Sequence, residues 1–313
     1  MTPSPIGTAR STRRGSRRQE RPPWMGEPLR MGMAARAVVL TVCCVLVLLP
    51  FVAVVSTSLA GQNQITSAGG FVLWPDDPSL GSYQAVLSGG VVTRAMIVSI
   101  GITVVGTLGS LAATIGLAYS LSRPGSLLHK PILLATLFTL FFNPGIIPMY
   151  LIVRQLGMID TYAALILPVL INGFNVIVMR AFFLEIPQEL LESARIDGAS
   201  ELKILMTIVL PLSKAVMAVI GLFYAVMYWN AFFTALLYLN STEKWPLQLI
   251  VRTFVVNQTP LAADDLALSS NEMPPQLSIQ MAILVLAIIP ILLVYPFLQR
   301  HFTKGLLVGA VKG

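Results

Sequence analysis

Glu192-Ser193-Ala194-Arg195-Ile196-Asp197-Gly198, followed after nine residues by Ile208-Val209-Leu210-Pro211, is the stretch that decides how this chain is read. It is polar, and it interrupts a chain that is otherwise almost wholly apolar. Charge, helix-forming residues and a glycine are more than is needed to turn a chain between two apolar segments, so the segment has the make-up of a docking element for a soluble partner. Pro187 suits the first turn of a helix, where its missing N–H costs nothing. Glu189, Glu192 and Glu201 with Arg195 and Lys203 then give a short surface helix, supported by pairs such as Glu192 and Arg195 three residues apart. Gly198 is placed to end that helix or to permit close backbone approach, and Ala194 and Ala199 keep the relief low for a partner groove. A solvated hairpin without a partner is the plainer reading of the same residues.

Around this segment, 55% of the 313 residues are apolar and only 11% are charged, with a mean hydropathy of +0.77. That composition belongs to a membrane chain. Runs of about 20 apolar residues, the length of helix that crosses a bilayer core, mark six spans: 34–56, 94–119, 131–153, 162–184, 207–238 and 279–298. The expected fold is therefore an all-α integral membrane protein with six transmembrane helices.

Basic residues near span ends are retained in the cytoplasm. They cluster in the N-terminal tail (Arg10 to Arg36), between the second and third spans (Arg123, Lys130), around the polar segment (Arg180, Arg195, Lys203, Lys214) and at the end (Arg300, Lys304, Lys312). The other side keeps Arg94, Arg154, Lys244 and Arg252. Both termini are thus expected in the cytoplasm, and the net charge of +7 reports topology, with no call for nucleic acid. Residues 1–33 read as a disordered basic cytoplasmic tail, 34–56 as a retained anchor helix longer than a signal core, 57–93 as an extracytoplasmic loop and 301–313 as a cytoplasmic tail.

Other chemistries find little support. Cys43 and Cys44 are adjacent on one span and read as buried apolar side chains, while His129 and His301 lack metal-ligand spacing. Every acidic residue, from Glu20 to Glu272, falls outside the proposed spans, whereas a proton- or ion-coupled carrier usually needs an ionisable group in the membrane. No Gly-Lys dipeptide occurs, so the phosphate-cradling loop of nucleotide-binding chains is missing. Energy for active transport would have to come from another polypeptide; this chain binds no cofactor.

These residues resemble a family. Glu192-Ser193-Ala194, three residues, Gly198, nine residues and Ile208-Val209-Leu210-Pro211 match the EAA loop of binding-protein-dependent ABC importer permeases, with Ser193 where a second alanine is expected. The flanks are similar to the carbohydrate branch that includes the maltose permeases. Phe71-Val72-Leu73-Trp74-Pro75, Trp245-Pro246-Leu247-Gln248 and the ending from Lys304 to Gly313 resemble the LplC/YtcP-type permeases of that branch. The resemblance implies a type I ABC importer permease core over 94–300, with its coupling loop at 186–211, in a multi-pass plasma (inner) membrane protein. It also implies a second related permease as heterodimer partner, separate ATPase subunits that use the ATP, an extracytoplasmic sugar-binding protein and a carbohydrate cargo. By motif position Glu192, Ala194, Asp197 and Gly198 would couple to the ATPase. An ABC permease for a non-sugar solute and a secondary carrier are the competing classes.

Candidate path residues are Asn143 and Tyr150 on the third span, Asn172 and Asn175 on the fourth, and Tyr224, Tyr228, Trp229 and Asn230 on the fifth. Amides and aromatic faces suit neutral sugar hydroxyls. The same residues also suit hydrogen bonding between helices. Pro144 would break the third span, as a hinge or as a packing kink, by freeing carbonyls that need another partner. Gly106, Ser110, Ala113 and Gly116 allow close helix approach along the second span.

Overall fold

The computed structural model describes residues 30–123, 125, 128–266 and 273–310, the side chains of 30, 295 and 297–310 excepted. The tail expected over 1–33 therefore lies almost wholly outside the described residues. Two compact units divide at Pro50. The described part of residues 1–50 is one apolar helix exposed along its length, and Cys43 and Cys44 are exposed on it rather than buried.

The described residues are helical, with no strand among them. In order they form α1 (Arg30–Leu59), α2 (Gln62–Ser67), α3 (Gly81–Leu87), α4 (Gly90–Ser122), α5 (His129–Phe141) and α6 (Ile146–Gln155). Next come α7 (Ala163–Val169), α8 (Gly173–Leu184), α9 (Gln188–Ile196), α10 (Glu201–Leu212) and α11 (Lys214–Trp229). The chain ends with α12 (Phe233–Tyr238), α13 (Leu247–Val256) and α14 (Gln276–Ala310). Three helices are long and apolar enough to cross a membrane alone, namely α1, α4 and the part Gln276–Val294 of α14; bent pairs bring the count to as many as five.

In residues 51–313 the centre is α4, with α8 and α11 packed against it. Small and hydroxylated residues on α4 decide how close they come. Gly106 has no side chain, and a Cβ there would meet the Tyr228 ring at 2.7 Å, so α11 lies directly on the α4 backbone. One turn further, Ser110 Oγ lies 2.8 Å from Tyr228 Oη, and Thr114 Oγ1 lies 2.7 Å from Tyr224 Oη. Each hydroxyl pair sits four residues from the next on both helices, the spacing that keeps side chains on one helix face. Gly173 likewise lets α8 approach α5, where an added Cβ would meet Thr139 Oγ1 at 2.8 Å. Gly116 has open space around it, so the stripe of small residues serves α11 only over its first part.

Three expected spans are not continuous. The third stops at Phe141 and restarts at Ile146, with Gly145 at φ +83° and its N–H held by Asn143 Oδ1 at 2.9 Å. Pro144 cannot donate a backbone hydrogen bond, and the asparagine cap takes over at the restart. The fourth bends by 51° across 170–172. The fifth, expected as one helix over 207–238, turns by 86° at Ser213 and breaks again at 230–232. Residues 207–212 therefore continue the polar segment and do not begin a straight span. Val209 is fully enclosed by protein and Ile208 and Leu210 are half-buried, whereas Leu212 is exposed.

Gly106→Ala is expected to lower the thermal midpoint of the detergent-solubilised chain, because the new methyl drives Tyr228 off Ser110. Overpacking of this kind costs about 1–3 kcal/mol. Gly116→Ala, made into open space, should be neutral or stabilising by up to about 1 kcal/mol. Equal midpoints for the two variants would remove Gly106 as the close-approach point.

Candidate coupling surface and translocation path

The polar segment folds as the residue types dictate. α9 begins after Pro187 and carries Glu189 in its first turn and Arg195 in its last, both favourable to the helix dipole. Leu191 is wholly buried and Ala194 is half-buried against the same core, so the helix is rooted on one side. Glu192, Ser193, Arg195, Ile196 and Asp197 face outward, and Ile196 is 86% exposed. The helix ends in a tight cap: Ala199 N–H donates to Ala194 O at 2.9 Å, Gly198 N–H donates to Arg195 O at 3.0 Å, and Gly198 takes φ +78°. That pairing across a left-handed residue is the Schellman cap. Since nothing lies within 4 Å of a Cβ at Gly198, the glycine is needed here for its backbone angle and not for close approach within the chain.

Ser200 caps the start of α10, and its Oγ accepts from Lys203 N–H at 3.4 Å. Arg195 does not pair with Glu192. It reaches over the cap to Glu201, with Nε donating to Oε1 at 2.9 Å. The other oxygen of Glu201 accepts from Tyr119 Oη at 2.6 Å. Tyr119 and then Arg195 hold the Glu201 carboxyl below its usual range. The outward segment is thus tied to the end of α4 through one carboxylate, and it continues through α10, which contains a wider turn at Leu205–Val209, into the bend at Ser213. Leu202 and Met206, 65% and 58% exposed, are two further large apolar side chains on this segment that protein does not cover.

Of the four expected coupling residues, Glu192, Asp197 and Gly198 lie on the exposed side, whereas Ala194 is turned partly inward. Sequence reasoning passed over Ile196, Leu202 and Met206. Their signal was available, as isolated large apolar residues within a polar stretch.

The candidate path residues divide by exposure. Asn175, Tyr224, Tyr228 and Trp229 are buried. Tyr224 Oη accepts from Asn172 N–H at 3.0 Å besides pairing with Thr114, and Trp229 Nε1 donates to Ala287 O at 3.0 Å. Asn172 Oδ1 caps α8 by accepting from Asn175 N–H at 3.2 Å. Asn143 and Asn230 are exposed, and Tyr150 is half-buried. Tyr150 stacks on Tyr238 with ring centroids 6.3 Å apart. A cavity of about 360 Å³ opens at the break in the third span, with Asn143, Gly145, Met149, Thr234 and Tyr238 among its walls.

A second cluster closes the loops beside that cavity. Asp160, at φ +59°, accepts through Oδ1 from Asn240 N–H at 3.0 Å and Ser241 N–H at 2.9 Å. Its Oδ2 accepts from Ser241 Oγ at 2.7 Å and Lys244 Nζ at 2.6 Å. Lys244 and then Ser241 push the carboxyl far below the ordinary carboxylate value. Residues 160 and 244 are too far apart in the chain for any local pattern to have paired them.

The chain matches the family model described as binding-protein-dependent transport system inner membrane component over residues 24–308. It belongs to that family, and is a helical membrane permease with the type I ABC permease fold, a transport component and not an enzyme. Among its relatives is the polygalacturonan/rhamnogalacturonan transport system permease protein YtcP of Bacillus subtilis strain 168, 44% identical over 85% of this chain and 92% of that protein. Protein LplC of the same organism is 45% identical over 85% of this chain and 90% of that one. A crystal structure of a bacterial ABC transporter involved in import of the acidic polysaccharide alginate contains a chain with TM-score 0.80 and 32% identity, covering 87% of this chain and 97% of that one.

Asp160→Asn should lower the thermal midpoint of the solubilised protein at neutral pH. A carboxyl whose folded pKa is depressed contributes stability above its unfolded pKa and loses it as pH falls through the folded value. The gap between wild type and Asp160→Asn is therefore expected to stay constant from pH 7 to about pH 5 and to shrink only in stronger acid. A gap that closes between pH 7 and pH 6 would assign the effect to another group.

Proposed function

We propose that this chain forms one half of the pore of an ATP-driven importer of oligosaccharides and that it receives force through α9. The observation that carries the reading is the construction of α9: rooted by Leu191, stopped by Gly198 and presenting Ile196 almost fully exposed between Glu192 and Asp197. An apolar tip on a charged helix suits the groove of a soluble ATPase subunit. Glu192, Asp197 and Gly198 form the contact, and Ala194 seats the helix. The cargo assignment is supported by the sugar and polysaccharide transport systems in which YtcP and the alginate importer are named.

In this reading six spans cross the plasma membrane: α1, α4, α5 with α6, α7 with α8, α11, and α14. Both termini and α9 lie in the cytoplasm, and a second permease of the same family completes the pore. A binding protein delivers the sugar to the opposite side. The cavity at the 143–145 break takes the cargo, with the Asn143 amide meeting hydroxyl groups and Tyr150 supporting Tyr238 in its wall; Asn172 and Asn230 are exposed elsewhere along the path. The volume of the cavity falls in the range of small-molecule sites. Asn175, Tyr224, Tyr228 and Trp229 hold the surrounding helices in place and touch sugar only if the pathway opens between them.

Two experiments test this reading. In a cysteine-free background, an impermeant thiol reagent added outside intact cells should label Asp264→Cys and spare Ser193→Cys; the reverse pattern would overturn the topology. Gly198→Val places a β-branched residue at φ +78°, a backbone region such residues avoid. The variant is expected to insert and to pair with the second permease, since no span is altered, but to lose at least about tenfold in ATP hydrolysis stimulated by loaded binding protein. That loss corresponds to about 1.4 kcal/mol of coupling contact, within the range for a strained residue. Full stimulation with Gly198→Val would remove α9 as the coupling element.

A further inference from the structure

Arg123, at the C-terminal cap of α4, is 7% exposed, and among the described residues none of its Nε, Nη1 and Nη2 atoms has a hydrogen-bond acceptor. A buried cation without a partner is strongly destabilising, so its compensation must be found nearby. Its guanidinium carbon lies 4.4 Å from the centroid of the Tyr119 ring, where the ring face attracts positive charge. The same tyrosine donates to Glu201 Oε2 at 2.6 Å, while Glu201 Oε1 accepts from Arg195 Nε at 2.9 Å. The order in space is cation, ring, carboxylate, cation. A phenol bonded to a carboxylate is polarised toward phenolate, which enriches the ring that Arg123 stacks on. Arg123 also acts on Glu201 through space as one of the influences lowering its pKa.

One carboxylate is therefore set among three donors and holds two of them. The third, Arg123, is the donor in greatest need of an anion, because it is buried like Tyr119 but, unlike Tyr119, has no acceptor among the described residues. Arg195 is the one that loses least on release, since its side chain is 39% exposed and an exposed ion pair contributes little. We propose that Glu201 is the moving contact of a two-position latch: it holds Tyr119 and Arg195 in the position seen here, and the Arg123 guanidinium in the other. The exchange carries the start of α10, and with it α9, across the end of α4. It forms a charge-assisted hydrogen bond to Arg123 in return for the phenol contact and a surface ion pair, so the two positions are closely matched. Close matching lets a modest push from an ATPase subunit move the latch. The latch rests on the reading of α9 as the ATPase contact.

The test uses the assembled complex, with second permease, ATPase subunits and binding protein, in lipid nanodiscs, and measures ATP hydrolysis with and without loaded binding protein. Tyr119→Phe removes a contact of the position seen here; Arg123→Gln removes the contact of the other. The ratio of stimulated to basal hydrolysis should move in opposite directions in the two variants, each by about three- to tenfold, the net weight of one ordinary hydrogen bond, since each position gives up one contact for another. A purely structural role would move both the same way, with falling yield. Should Arg123→Gln fail to assemble, Arg123→Lys, which keeps the charge but loses the planar fork, replaces it with the same expected direction and a smaller size. Shifts in one direction, or none, overturn the latch while stimulation of the wild-type complex upholds the coupling reading. Absence of stimulation in the wild type would instead overturn that reading.

Discussion

Two pairs of hydroxyl groups, Ser110 with Tyr228 and Thr114 with Tyr224, hold α4 against α11, and the rest of residues 51–313 is arranged around that contact. In an apolar interior a polar group without a partner is costly, so each phenol on α11 has its place on α4 specified. The free energy per bond is modest, about 0.6 kcal/mol on average for interhelical bonds in membranes. Registration is the larger effect. With Gly106 accepting the Tyr228 ring face, sliding α11 by one residue would lose both bonds and drive the ring into backbone.

A fixed central pair permits irregular helices elsewhere. The breaks at 142–145, 170–172 and Ser213 free backbone groups that a lone helix in lipid could not leave unpaired. Here side chains meet part of the need: Asn143 caps Gly145, Asn172 caps Asn175, and Tyr224 accepts from Asn172 N–H. At the end of α4, Arg180 Nε donates to Leu121 O at 2.7 Å, giving one carbonyl of the last turn a cationic partner as the helix dipole favours. Broken helices are thereby stable features with defined directions.

How far these features were legible depends on whether their causes are local. The helix at 188–196 and its stop at Gly198 follow from Pro187, the order of charges and one glycine, and they are readable. The break at Pro144 is also local, because proline lacks the donor. The bend at Ser213 is not, since hydropathy registers that residues 207–212 are apolar but not which way they run, and Val209 is apolar because protein encloses it. Tyr224 and Tyr228 could be assigned to one helix face from their spacing, yet choosing between cargo and packing required Thr114 and Ser110, more than a hundred residues earlier. The Glu201 contact with Tyr119 spans 82 residues, and the sequence pattern favoured Glu192 as partner for Arg195 because only near neighbours are visible to it.

The right-angled turn at Ser213 gives α10 and α11 the shape of a bell crank. One arm, Glu201–Leu212, continues the exposed segment; the other, Lys214–Trp229, carries Tyr224 and Tyr228 and is roughly 24 Å long at the rise of an α-helix. In such a lever a sideways push on the short arm appears as a tilt of the long one. A rotation of 10° about the turn would displace the far end of α11 by about 4 Å, roughly three-quarters of the pitch of one helical turn. Because Tyr224 and Tyr228 bond the long arm to α4, such a tilt would carry α4 with it, so a push on the short arm would reach two helices at once.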